Sequence, residues 1–366
     1  EPFNPDFNGK SQRGAGFFQF TYDRGQRVSA AYAFLDPIKN NPKLTIRLRS
    51  TVQRVLIQDG RAVGVVYRDK SGTEHTARCA GEVILSAGAL ITPKLLMLSG
   101  LGPADHLRDH DIDVVQDMPG IGRNLQDHPD VSIVARANGR YGYFKQDRGW
   151  NMLRNGMEFK LFGRGRITTT GLEAACFVNP TDPEALPTHE AYCIPVMYLN
   201  DAQARTIPED YGVSIQMVLL KPRSTGDVKL ASANPEDMPL VNPNFLSDER
   251  DMDEMVKGLR YFRETMNQSP LADRIAEVVA PTDYSDAALR DHCRRVVKTN
   301  FHPAGTAKMG ADGDPMAVLD ARMRVRGVEG LRVCDMSAVP DIPAGNTNAP
   351  AMVLGDRCAE MVLGRL

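Results

Sequence analysis

Most of the features that would quickly narrow this protein's function are missing from its sequence. Its six cysteines (Cys79, Cys176, Cys193, Cys293, Cys334, Cys358) are scattered, with no short Cys-x-x-Cys or Cys/His spacing. A tetrahedral zinc site is therefore not expected, and the thiols read as reduced core residues. The seven histidines are just as dispersed, so no structural metal is expected. Neither sign of charge dominates: 44 Lys and Arg face 46 Asp and Glu, a net charge of -2. That balance excludes a basic face for nucleic acid, and no nucleic-acid partner is expected. No apolar run approaches the ~18–20 residues that span a bilayer. The chain has no leader-like stretch, opens at Glu1, and reads as if it begins mid-protein. No G-x-S-x-G elbow is present, which sets aside a serine hydrolase. The dinucleotide fingerprint G-x-G-x-x-G is also missing. Its nearest approach, GLG at 100–102, follows a helix pattern instead of a strand, so a nucleotide cofactor cannot be argued from the usual turn.

The sequence does carry periodicity. SAAYAFLDPI (29–38) has helical spacing and stops at Pro37. LTIRLRSTVQRVLIQDGRAVGVVYR alternates β-branched residues, with Asp59-Gly60 as a tight hairpin turn and a second turn at Ser71-Gly72. EVILSAGAL is a continuous apolar stretch of the kind buried in a parallel sheet, and a helix follows at TPKLLMLSG with Pro93 in its first turn. From about 131 to 230 short strands recur (VSIVARA, EAACFVN, HEAYCIPVMYL, GVSIQMVLLKP), which predicts an antiparallel sheet. Residues 250–266 and 286–299 predict amphipathic helices, and APAMVLGDRCAEMVLGRL a terminal one. Residues 1–130 and 301–366 thus read as pieces of one α/β domain, and 131–300 as an α+β domain inserted between them.

Three stretches are unusually specific. They are GALITPKLLMLSGLG (88–102) with GIGRNLQDHP (120–129), then NFHPAGTAKMG (300–310), then LRVCDMSAVPDIPAGNTNAPAMVLGDRCA (331–359). Their order and spacing resemble the glucose–methanol–choline (GMC) family of flavoprotein oxidoreductases, from about residue 6 to the end. The resemblance, within the alcohol and choline dehydrogenase-like branch, implies an α/β FAD-binding domain plus an α+β substrate domain with an antiparallel sheet. The FAD-binding domain is incomplete here, because the family's N-terminal G-x-G-x-x-G segment is absent from the chain. That segment is expected as a partner from the same protein.

His302 stands at the start of a turn closed by Gly305. Imidazole exchanges protons near neutral pH, and oxidising an alcohol needs its hydroxyl proton removed and the developing alkoxide stabilised. The resemblance places a second polar group, Asn346, beside His302. An Asn can hydrogen-bond the substrate oxygen but cannot act as a base, which leaves His302 as the proton acceptor.

For the cofactor, the resemblance assigns the backbone at Val52 to adenine and the Asp335-Met336 stretch to the diphosphate–ribitol region. Gly88 is a cofactor-facing turn on this reading, or simply a packing glycine. Asn348 either caps the last helix or meets the flavin pyrimidine ring at the helix's positive end. Asp127 and His128 resemble a motif near the cofactor's rim and are expected to be structural. Glu173 reads as a strand-edge residue more than a substrate contact. With Trp150 the sole tryptophan, no aromatic cage for a quaternary ammonium is visible, which lowers choline as a substrate.

The expected activity is FAD-dependent oxidation of a small-molecule alcohol to an aldehyde or ketone. The electron acceptor is left open among oxygen, a quinone and a cytochrome. A catalytically incompetent truncated fragment of such an enzyme is the alternative. A cytoplasmic location is expected, with membrane association only through an electron acceptor.

Overall fold

The computed structural model describes residues 1–365. Along the chain the elements used below are Gly14–Phe17 (β1), Thr51–Gln58 (β2), Arg61–Arg68 (β3), Glu74–Arg78 (β4), Val83–Leu85 (β5), Ile91–Leu98 (α1), Pro129–Ala137 (β6) and Gly149–Phe162 (α2). Then come Ala174–Val178 (β7), His189–Ile194 (β8), Gly212–Leu219 (β9), Glu249–Met266 (α3), Ile275–Ala280 (β10), Asp286–Val296 (α4), Lys298–Thr299 (β11), Leu331–Val333 (β12) and Asn348–Val362 (α5). They fall into two compact units. A sheet unit holds Glu1–Ile38, Pro129–Arg223 and Asp248–Asn300, and a motif unit holds Lys39–His128, Ser224–Ser247 and Phe301–Leu366.

The sequence boundaries near 130 and 300 lie within two residues of this division, but two segments change sides. The first 38 residues, expected with the α/β pieces, cluster with the sheet unit. The reason is pairing: β1 runs antiparallel to β7, Gly14 opposite Phe177. Residues 224–247, expected in the insert, belong to the motif unit. There Gly226 and Leu125 exchange backbone hydrogen bonds of 2.8 and 3.1 Å, and Val228 N–H donates to Gly122 O at 2.7 Å.

The sheet unit is built on one largely antiparallel sheet in the order β1-β7-β8-β9-β6-β10, with β11 pairing the start of β6. Strand alternation gives its two faces different chemistry. On one side stand Val131, Ile133, Ala135, Ala191, Met217, Ile215 and Leu219, all buried. Helix α3 packs on this part of the molecule, against β9 and β6. Its buried Met252, Met255, Val256, Leu259, Phe262 and Met266 recur at helical spacing, and its N-cap Asp248 accepts from Arg250 N–H at 2.9 Å.

The other face of the sheet is polar and yet buried. Register places Glu190 opposite Val218 and Val218 opposite Asp130, with Tyr192, Gln216 and Ser132 in the next row. Asp130, Glu190, Ser214 and Gln216 have no solvent exposure. Lys298 Nζ lies 2.6 Å from Asp130 Oδ2, and Tyr192 O–H donates to Asn300 Oδ1 at 2.7 Å. Burial pushes Asp130 up to about 6 in spite of that ammonium. The Glu190 carboxyl has no hydrogen-bond partner on either oxygen. Burial, and secondarily the nearby Asp130, raise it to about 8.

In the motif unit, β2-β3-β4 form an antiparallel meander, and β5 pairs parallel with β12, Val83 opposite Leu331. Asp59 and Gly60 make the β2–β3 turn with φ of 47° and 75°, the left-handed values a tight hairpin needs. The core collects Val55, Leu85, Leu95, Leu96, Met97, Val318, Leu319 and Val333. A smaller cluster of Ala304, Met336 and Ile342, with Val339, Ala351 and Leu354 against it, is formed by residues of the second and third specific stretches singled out above.

Several elements differ from the sequence reading. The stretch 44–50 is not strand, and the expected helix at 29–38 is a π-turn followed by a 3-10 turn. EVILSAGAL yields a strand of only three residues, and Ile84 is exposed, so this strand is not buried on both faces. Helix α2 lies where strands were expected.

Candidate active site

The site is assembled by the NLQDH stretch, which acts as a clamp on the other two. Gln126 exchanges backbone hydrogen bonds with Ala304, N–H to O at 3.0 and 2.8 Å, which joins it to the HPAG turn. Its side chain reaches the third stretch: Oε1 accepts from Ile342 N–H at 3.0 Å and Nε2 donates to Pro340 O at 3.2 Å. Asn124 Nδ2 donates to both Gly305 O and Pro340 O at 3.2 Å. Asp127 Oδ1 accepts the backbone N–H of His302 at 3.0 Å.

Gly305 is required in this turn. Its φ is +86°, and a Cβ there would lie 2.6 Å from Asn124 O. Phe301 also takes a left-handed backbone, φ 61°, turning the chain into His302.

His302 and Asn346 meet, 44 residues apart in sequence: Asn346 Nδ2 lies 3.3 Å from His302 Nε2. His302 is buried at 9% exposure, while Asn346 is exposed. Behind His302, its Nδ1 lies 2.9 Å from Nδ1 of His128, whose ring is fully buried and stands edge-on to it at 85°. His128 Nε2 lies 3.0 Å from the carbonyl of Pro343. Burial lowers His302 to about 4, so its ring is neutral at ordinary pH. The pair therefore presents a proton acceptor beside an amide donor, a layout that can take a proton from a hydroxyl while holding its oxygen.

The residues assigned to a cofactor are spread over the same unit. Asp335 follows β12, but its carboxylate is occupied by the protein: Oδ2 accepts from Gly88 N–H at 2.9 Å and Thr92 Oγ1 at 2.6 Å, and Oδ1 from Ser337 N–H at 2.8 Å. Its side chain thus fixes the Gly88 turn at the start of α1. Gly88 has φ +83° and nothing within 4 Å of where a Cβ would stand, so the turn's open side could seat a ligand. Met336 is buried in the small cluster beneath the site. Asn348 is the first residue of α5, whose N-cap is Thr347 and has no side-chain cap. The helix therefore offers an uncapped positive end. Val52 lies on β2, the edge strand of the meander, beside a bulge between Val52 and Arg54. An open glycine turn, an uncapped helix end and an edge strand fit a dinucleotide, although no glycine-rich phosphate cradle is among the described residues.

Asp127 and His128 were expected to be structural, but sequence reasoning missed the bracing roles of Asn124 and Gln126 and the particular partners of all four. The available signal was their type: amide side chains in a Gly/Pro-rich stretch brace neighbouring backbone.

By fold the chain stands with FAD-dependent oxidoreductases. It superposes on pyridoxine 4-oxidase from Mesorbium loti with a TM-score of 0.86 at 25% identity, covering 98% of this chain and 66% of that one. On the formate oxidase of Aspergillus oryzae RIB40 (the R554A variant, studied for its FAD modification) the TM-score is 0.87 at 27% identity, covering 100% and 68%. Models of the GMC oxidoreductase family match residues 1–130 and 222–355, and the chain belongs to that family. It is 38% identical to alcohol dehydrogenase [acceptor] of Pseudomonas putida over 372 residues, covering 100% of this chain and 66% of that protein. It is 37% identical to oxygen-dependent choline dehydrogenase of Brucella canis over 366 residues, covering 98% and 65%. The chain therefore spans slightly less than two thirds of each of these relatives. The cofactor of the family is FAD.

Proposed function

We propose that the protein oxidises an alcohol to an aldehyde or ketone, with FAD as cofactor and His302 as the proton acceptor. The approach of His302 Nε2 to Asn346 Nδ2, 3.3 Å, carries this reading. A hydroxyl bound at the pair loses its proton to Nε2, and its oxygen accepts a hydrogen bond from Nδ2 as negative charge develops. When bound, FAD supplies the two-electron acceptor for the hydride that leaves the alcohol carbon. Within this chain, the open turn at Gly88, the backbone at Asp335 and Met336, the Asn348 end of α5 and the Val52 edge would hold it. The relatives named for alcohol and for choline support a CH–OH donor.

His302→Ala tests the assignment. The variant should lose at least ~10²-fold in kcat/KM, the usual size of a general-base contribution, with its flavin absorbance unchanged. Turnover that survives the substitution would remove His302 from the chemistry.

A further inference from the structure

The His128–His302 contact carries a consequence for where the proton goes. A carbonyl oxygen only accepts hydrogen bonds, so the 3.0 Å contact between His128 Nε2 and Pro343 O requires a proton on that nitrogen. A neutral imidazole carries one proton, and His128 is fully buried, where the charged form is disfavoured. Its Nδ1 therefore holds a lone pair. That lone pair faces His302 Nδ1 at 2.9 Å, so His302 Nδ1 must carry the proton and donate. The remaining nitrogen of His302, Nε2, is left with a lone pair, directed at the Asn346 amide. One backbone carbonyl thus sets the protonation of both rings, and the chain ends on the atom that has to act as a base.

We propose that His128 is a positioning residue that fixes the tautomer of His302, holding Nε2 unprotonated toward the substrate hydroxyl. This rests on the reading of His302 as the proton acceptor. With the opposite tautomer, Nε2 would carry a hydrogen and could not take the substrate's proton. The two rings stand nearly perpendicular, at 85°, with their Nδ1 atoms at the hydrogen-bond distance of 2.9 Å, so a neutral group can orient the base.

The test uses the full-length, flavin-loaded protein with ¹⁵N-labelled histidine, the His302 resonances being those lost in His302→Gln. The expected result is a pyrrole-type Nδ1 and a pyridine-type Nε2 in the unmodified protein. A protonated Nε2 overturns the proposal, whatever any variant does. Two variants separate position from mere packing. His128→Gln keeps an acceptor for His302 and a donor for Pro343, and should retain kcat within a few-fold. His128→Phe fills the space without either, and should lower kcat by ~10-fold or more with little change in KM. The ~10⁴-fold loss known for a wrong-tautomer histidine beside an anionic partner sets the upper scale. Equal activity in the Phe and Gln variants sinks the positioning role while leaving His302 as the base. Undiminished activity in His302→Ala sinks the base reading and leaves the tautomer measurement standing.

Discussion

At the scale of single residues, the roles proposed for His302 and Asn346 are unequal. Only the imidazole can hold the proton, whereas the amide contributes a hydrogen bond. Asn346→Ala should therefore cost about 1–3 kcal/mol of transition-state stabilisation, less than His302→Ala, measured as the change in kcat/KM. A larger loss at Asn346 would reverse the two roles. A base at His302 would work only when deprotonated, and burial lowers this imidazole to about 4. Activity should accordingly rise with pH through an acidic limb that lies below the ordinary imidazole value of ~6.5, then hold level through neutrality. A kcat/KM profile with its acid limb above that value would contradict a buried neutral base. The approach of Asn346 to His302 was legible in the sequence because HPAGT and GNTNAP are unusual strings. The partners of His302 were not, because nothing local in NLQDH marks its side chains as braces for backbone more than 170 residues away. Asp335 was singled out only through the resemblance, and nothing local showed that its carboxylate is engaged by Gly88, Thr92 and Ser337.

At the scale of elements, the legible parts were those with strong period. Helix α3 shows its apolar spacing plainly, and its ends match to a residue. Phe262→Ala, in that buried face, should destabilise by about 3–5 kcal/mol by thermal or denaturant unfolding. A change under 1 kcal/mol would mean that α3 does not carry the packing described. Helix α2 was hidden because GWNMLRNGMEFKLF carries two glycines and a wide spread of apolar positions. The three-residue β5 was overestimated because a run of apolar residues says nothing about where pairing stops.

The polar face of the large sheet gives an element-scale prediction. Glu190 keeps its proton in the folded state up to about 8, while the unfolded chain releases it near the ordinary carboxylate value. The folded state thus binds more protons between those limits, so this group lowers stability as pH rises from ~4.3 toward 8. Glu190→Gln removes that dependence. The melting temperature of the variant relative to the unmodified protein should climb between pH 5 and pH 8. A difference that stays flat over this range would show that Glu190 is already charged or partnered. His189 works with the opposite sign. Burial lowers it to about 4, so the unfolded state takes up its proton first and stability falls as pH drops below ~6.5.

At the scale of the whole molecule, the order of strands and helices predicted breaks near residues 130 and 300, and the two compact units change over at 128/129 and 300/301. The sidedness of two segments was not. Residues 1–38 join the sheet unit through the β1–β7 pair and the packing of Phe7 on Phe177, and 224–247 join the motif unit through backbone hydrogen bonds with Leu125 and Gly122. Both are long-range choices that local pattern cannot express. No helix among the described residues is long and apolar enough to cross a membrane.

The contact between His128 and His302 also closes a loop in the polymer sense. The two rings, 174 positions apart, join the last residue of the motif unit's first segment to the second residue of its last segment. The contact therefore ties together two pieces of one unit that the sequence keeps far apart. Closing such a loop becomes harder only slowly with its length, by about 0.6 kcal/mol for each doubling. The intervening chain can thus grow, shrink or exchange its strands at little cost to that closure.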